Sequence, residues 1–199
     1  MTSIRGGMGI VNPKVKHPGS IGLIAARGAS RYILSCYHVL CRLGGAPFQK
    51  GEEIFLIEDT DQANPIARVE QGLPDLDAAM ALVLDGVEAI GGIGDLPPLA
   101  EAAKPEEGMN VVKVGPATGK TEGRITRVED DEVWIEPVDG AAGGPISAGG
   151  DSGSVWVCKD TWVPVVLHTG TNDAGTIPYA RGLALIRALD GLRLTVLTR

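Results

Sequence analysis

Gly149-Gly150-Asp151-Ser152-Gly153-Ser154 runs directly into Val155-Trp156-Val157-Cys158. Acyl transfer needs an attacking oxygen and two backbone N–H groups aimed at the developing oxyanion. Glycine at position 150 lets the chain turn sharply, which brings its N–H near that of Ser152, and Gly153 leaves the serine uncrowded. The residues after the serine separate the folds that carry such a loop. The strand-turn-helix elbow of α/β-hydrolases requires glycine two residues after the serine and then a helix. Here Ser154 stands in that place, and the run after it reads as a strand.

Short strand-like stretches recur on both sides of this loop. Residues 20–26 and 31–35 flank a turn at 27–30 and read as a hairpin. Residues 53–57, 66–70 and 78–84 come next, separated by Gly, Pro, Asp and Asn clusters. A second set covers 110–114, 123–128, 132–136, 153–158 and 162–167. The segment 89–107 between the sets carries Pro97 and Pro98 and reads as a linker. Residues 179–189 place Leu183, Ile186 and Leu189 at three-residue steps, which predicts one helix stopped by Gly191, with a last strand in 192–197. Glycine at 28 residues, proline at 13 and aromatics at 4% suit many short strands better than a helical bundle. The length of 199 residues admits one large domain or two small barrels sharing a core.

A serine nucleophile needs a base, and the chain has three histidines: His17, His38 and His168. His38 comes after Tyr32-Ile33-Leu34-Ser35, where a strand ends and a short turn presents the imidazole. His17 precedes Pro18-Gly19 and reads as a loop residue. A base histidine also needs a carboxylate that fixes its tautomer. Pro74-Asp75-Leu76-Asp77-Ala78-Ala79 offers two. Asp77 leads straight into an apolar strand and is preferred; Asp75 follows a proline and reads as a solvated turn residue.

Together these stretches resemble the chymotrypsin-like (trypsin-fold) serine peptidases, most nearly the compact bacterial members. The order His38, Asp77, Ser152 is that family's chain order. The likeness spans residues 19–197. It includes Gly19-Ser20-Ile21-Gly22, Leu34-Ser35 with His38-Val39-Leu40, Asp77-Ala78-Ala79, Val114-Gly115 with Thr118-Gly119, Gly150-Asp151-Ser152-Gly153 and Leu167-His168-Thr169-Gly170. The resemblance implies an all-β fold of two six-stranded antiparallel Greek-key barrels, with the site in the cleft between them and a short C-terminal helix. Residues 1–95 would form the barrel carrying His38 and Asp77, and 96–199 the barrel carrying Ser152. It implies a serine endopeptidase working through an acyl-enzyme, with the N–H groups of Gly150 and Ser152 as oxyanion hole. The alternative is a catalytically silent peptidase fold kept as a binding module.

For specificity, the resemblance places the pocket base near Ile146, where no aspartate stands, so a Lys/Arg preference is not expected. The same resemblance implies that His168 and Gly170 lie in a strand that contacts substrate. Glutamyl endopeptidases and picornain-like enzymes carry a histidine in a similar strand, which implies Glu or Gln before the cut. The chain also departs from the family. It lacks an Ile-Val-Gly-Gly-like start, so Asp151 is not expected to receive a freed amino group. Cys36 and Cys41 are not at the spacing of the usual disulfide loop.

Other classes fare worse. Gly115-Pro116-Ala117-Thr118-Gly119-Lys120-Thr121 has one residue too few between its glycines for a phosphate loop. The cysteines form no Cys-x-x-Cys pair, so neither a metal nor a cofactor is expected. The net charge of −7 disfavours nucleic acid and anionic membranes as partners. Three cysteines, an odd count, and no apolar leader point to a reduced, cytoplasmic setting. An endopeptidase there requires restraint, which a dedicated protein substrate or a regulatory partner would supply.

Overall fold

The computed structural model describes residues 2–41, 48–138, 144–172 and 179–198. In the N-terminal half the elements are β1 (Thr2–Gly6), β2 (Gly9–Val11), β3 (Gly19–Ser20), β4 (Leu23–Arg27), β5 (Ser30–Ser35), the single-turn helix α1 (Tyr37–Leu40), β6 (Glu53–Leu56), β7 (Ala67–Leu73), a 3-10 turn (Pro74–Leu76), β8 (Ala78–Val83) and β9 (Val87–Ile93). The C-terminal half adds β10 (Asn110–Gly115), β11 (Gly119–Glu129), β12 (Glu132–Pro137), β13 (Val155–Cys158), β14 (Pro164–Asn172), β15 (Tyr179–Ala184), α2 (Leu185–Leu192) and β16 (Thr195–Val196).

The C-terminal half closes as expected, into a six-stranded barrel of order β10-β11-β12-β15-β14-β13. β13, β14 and β15 are successive antiparallel neighbours, while β15 lies against β12 and β13 returns to β10. That order is a Greek key. Val111, Ile125, Ile135, Trp156, Val165 and Val166 fill its interior.

The N-terminal half differs from the expected closed barrel. Its strands form an open eight-stranded sheet, β16-β4-β5-β8-β7-β6-β2-β3, and β1 pairs separately and in parallel with β9. The edge strands β3 and β16 have two residues each, and just after β3 the Gly22 N–H donates to Leu34 O of β5 at 2.8 Å. The sheet is a half-barrel covered on its apolar face by a large core that includes Leu23, Ile33, Leu34, Val69 and Met80.

Three boundaries move. The expected linker 89–107 begins inside β9. The helix expected over 179–189 begins later, at Leu185, because Tyr179–Ala184 is strand β15. Gly182 explains this: a Cβ there would lie 2.3 Å from a Val166 methyl and 2.5 Å from the Leu167 carbonyl, so glycine permits the close pairing of β15 with β14. Gly191 does not stop the helix. The stop comes two residues on, where Arg193 takes φ 56° and the N–H groups of Arg193 and Leu194 bond Asp190 O and Leu189 O. This is the Schellman pattern. The buried Leu185, Leu189 and Leu192 of α2 belong to the N-terminal core, and β16 pairs with β4, so the end of the chain crosses back to the first sheet.

Candidate active site

Three elements converge where the halves meet. The first is α1, which comes after β5 and carries His38. The second is the 3-10 turn, after which Asp77 adopts a left-handed conformation, φ 46° and ψ 40°. Aspartate tolerates this region better than most residues. Three hydrogen bonds tie the two together. Tyr37 N–H donates to Asp77 O at 3.0 Å, His38 N–H to Asp77 Oδ1 at 3.0 Å, and His38 Nδ1 lies 2.8 Å from Asp77 Oδ2. A carboxylate only accepts, so Nδ1 carries the proton and Nε2 presents its lone pair. Asp77 rather than Asp75 faces the imidazole; Asp75 is exposed on the turn.

The third element is the loop before β13. Ala148 O accepts the Asp151 N–H at 3.0 Å, and Gly150 has φ +107°. A positive φ at the third position makes this a type II turn. The peptide joining Gly149 to Gly150 is thereby turned over relative to a type I turn. Neither the Gly150 N–H nor the Ser152 N–H has a hydrogen-bond acceptor among the described residues. The Gly150 carbonyl is held from the other side by Ser20 Oγ at 3.1 Å.

The loop is pressed against the first sheet. Ser20 N–H donates to Ser152 O at 2.8 Å. Gly153 has φ +91°, and a Cβ there would lie 2.2 Å from Ser35 Oγ, so only glycine admits this approach. Val39, next to His38, and Ser152 O both lie within 2.8 Å of where a Gly19 Cβ would stand. The Ser152 backbone and the residue after His38 thus pack against the same glycine of the first sheet. The Ser152 and His38 side chains make no direct hydrogen bond among the described residues, and such bonds commonly tighten only when substrate binds.

Asp151 anchors the loop from beneath. It is wholly buried, as is Lys113, whose Nζ lies 2.9 Å from Asp151 Oδ2. Thr118 Oγ1 donates to the same oxygen at 2.6 Å, and the N–H groups of Ala117 and Ala148 donate at 3.0 and 3.1 Å. Burial alone would raise the Asp151 carboxyl, but the Thr118 hydroxyl and the Lys113 charge outweigh it and hold the group below its ordinary value. Lys113 therefore occupies the cation's place opposite Asp151, which a freed amino group was not expected to fill. One signal of it was legible: Val111-Val112-Lys113-Val114 sets a charge in an otherwise apolar strand.

The substrate-side residues divide. Gly170 lies on β14 beyond Leu167, the last β14 residue paired with β13, and borders a cavity of about 670 Å³ that also reaches Asp77. A bare strand edge beside a cavity suits an extended peptide. Ile146 does not form an open pocket floor. It is 2% exposed, packs in the barrel core, and accepts a bond from Thr121 Oγ1 through its carbonyl. His168 is buried beside the nucleophile loop. Its N–H donates to Ser154 O and its carbonyl accepts from Gly153 N–H, both at 2.8 Å. Burial, with the Lys113 charge adding to it, pushes the His168 imidazole down to about 3. Its two ring partners, Ser147 and Trp156, are not marked as site residues by any pattern in the sequence.

The geometry disfavours two other chemistries. Gly115 and Gly119 pair as the closing residues of the β10–β11 hairpin, with no helix after them, so that loop cannot cradle phosphate on a helix end. Cys36, His38 and Asp77 bring one potential metal-ligand atom each within 4.8 Å. His38 Nδ1 and Asp77 Oδ2 are already bonded to each other, and burial raises the Cys36 thiol well above its usual value, which disfavours the thiolate a metal would need.

No protein-family model and no curated protein matches the chain. Solved structures do. A glutamic acid specific serine protease, described as utilizing a novel histidine triad in substrate binding, superposes with TM-score 0.77 at 20% identity, over 98% of this chain and 100% of that one. Protease A of Thermobifida fusca matches with TM-score 0.74 at 14% identity over 100% of both chains. An alpha-lytic protease homologue matches with TM-score 0.72 at 22% identity, over 98% and 99%. The fold is that of the chymotrypsin-like serine proteases. Within the chymotrypsin fold, the closed second barrel carries Ser152 and the half-barrel carries His38 and Asp77.

Proposed function

We propose that this chain is a serine endopeptidase whose triad is Ser152, His38 and Asp77. One observation supports the reading: a carboxylate-oriented imidazole, with 2.8 Å between Asp77 Oδ2 and His38 Nδ1, belongs to the half against which the Ser152 loop packs, and the turn of that loop leaves two N–H groups without an acceptor among the described residues. Ser152 Oγ attacks a peptide carbonyl while His38 Nε2 takes its proton. The N–H groups of Gly150 and Ser152 receive the oxyanion. His38 then protonates the leaving amine, and water repeats the sequence on the acyl-enzyme. The substrate chain lies along the free edge of β14 near Gly170.

The side chain before the cut is Glu or Gln in this reading. His168 beside the nucleophile loop and the likeness to a glutamic acid specific protease support it. The three cysteines are free and buried, which supports work in a reducing compartment. A dedicated protein substrate or regulatory partner remains part of the proposal.

Cleavage profiling against proteome-derived peptides tests the activity. Wild-type protein cleaves a defined peptide set, and Ser152→Ala lowers the rate by about 10⁴-fold or more. Equal rates for the two proteins would sink the assignment. Inactivity of both, with the fold intact, favours a silent binding module.

A further inference from the structure

His168 is held at both ring nitrogens. Trp156 Nε1 donates to Nδ1 at 3.4 Å, and Ser147 Oγ lies 2.5 Å from Nε2. The donor and acceptor roles can be assigned from chemistry alone. An indole N–H only donates, so Nδ1 must accept and carries no proton. A neutral imidazole with a bare Nδ1 has its proton on Nε2, and that proton goes to Ser147 Oγ. The imidazole has no donor left for a substrate. The Ser147 hydroxyl hydrogen is the one left over.

Ser147 lies five residues before Ser152, and His168 is bonded to the residues immediately beyond Ser152. The leftover donor therefore lies on the segment that leads into the nucleophile loop, bonded to the strand that pairs with the residues after Ser152. No uncompensated positive charge accompanies it among the described residues. Lys113 is spent on Asp151 at 2.9 Å, and Arg181, on the strand next to β14, is paired with Glu132 at 3.1 Å. Protonating His168 would set its Nδ1–H against the Trp156 N–H and add a charge beside Lys113. Burial already drives the imidazole neutral. No second imidazole is bonded to it among the described residues: His38 is bonded to Asp77, and His17 is exposed. The glutamic acid specific neighbour is described as using a histidine triad, and here a tryptophan and a serine hold the single histidine.

We infer that this site prefers glutamine to glutamate before the cut, with the Ser147 hydroxyl, not the His168 imidazole, as the donor to the side-chain oxygen. The inference rests on the endopeptidase reading above. A carboxylate brought into such a site loses water and gains one neutral hydrogen bond, whereas a carboxamide makes the same bond without the cost of burying charge. His168 acts through Ser147 by fixing which way its hydroxyl points.

The test uses three peptides that differ only in Gln, Glu or Leu before the cut, with fluorophosphonate labelling of Ser152 as a separate measure of a working site. At pH 7.5, kcat/KM for Gln exceeds that for Glu by about tenfold or more. Ser147→Ala lowers the Gln-to-Leu preference by about tenfold. The Glu-to-Gln ratio climbs as pH falls from 7.5 to 5.5, because protonated glutamate imitates glutamine. Glu cleaved as well as Gln, a Gln-to-Leu preference unchanged by Ser147→Ala, or a labelled protein that cleaves none of the peptides overturns this inference alone. Absence of labelling overturns the endopeptidase reading and this inference with it.

Discussion

His168 and Lys113 show what burial does to a titratable side chain and what it leaves testable. The His168 imidazole is lowered from 6.5 to about 3. Between those values the unfolded chain binds a proton that the folded chain does not, so stability rises with pH across that window and falls on acidification. The full effect has an upper bound of about 5 kcal/mol. Thermal melts from pH 7 to pH 4 should show this loss, and His168→Gln should flatten it. Lys113 and Asp151 make the complementary case, a buried pair in which removing one partner strands the other. Lys113→Met should cost about 3–5 kcal/mol in denaturant unfolding, and adding Asp151→Asn should recover part of it. Single residues were unevenly legible in the sequence. Ser152 could be read from its own loop. His38 gained weight only from chain order, and Asp77 only as the better of two aspartates. Lys113 left a local signal as a charge in an apolar strand but not its partner 38 residues away, and Ser147 and Trp156, whose partner His168 is 21 and 12 residues away, left none.

At the scale of elements, the nucleophile turn is the piece on which most depends. Gly150 at φ +107° holds the peptide before it in the orientation that frees its N–H. Alanine there is strained by about 1–3 kcal/mol. Gly150→Ala should therefore relax toward a type I turn, withdraw one oxyanion donor, and lower kcat by about 10²–10³ with little change in KM. Steady-state kinetics on any cleaved peptide would show this, and an unchanged kcat would mean the donor is not used. Most strands were visible in the sequence because alternation and turn residues mark them locally. The boundary of β15 and α2 was not. Leu183, Ile186 and Leu189 keep a helical step across a junction where the chain changes conformation, and only the packing of Gly182 against Val166 shows that the first part is strand.

Across the whole molecule, the last residues of the chain support the turn that presents Asp77 in the first half. A Cβ at Gly191 would lie 2.6 Å from Leu73 and 3.5 Å from Leu76, so α2 packs directly under the turn that presents Asp77. Leu192 is fully buried in the same core. Leu192→Ala should cost about 2–5 kcal/mol in chemical unfolding, and the loss should appear in one transition because the end of the chain joins both halves. The all-β class was legible from composition and strand rhythm, and the C-terminal barrel only through the family resemblance. The open half-barrel was not, since its order is set by pairings between strands far apart in sequence, such as β2 with β6 and β16 with β4. The central claim, that this fold presents an activated serine, is tested most directly by treating the folded protein with a fluorophosphonate and measuring its intact mass. One adduct per chain, on Ser152 and lost in Ser152→Ala, is the expected result. A folded wild-type chain that takes up no adduct, or an adduct that survives Ser152→Ala, would contradict it.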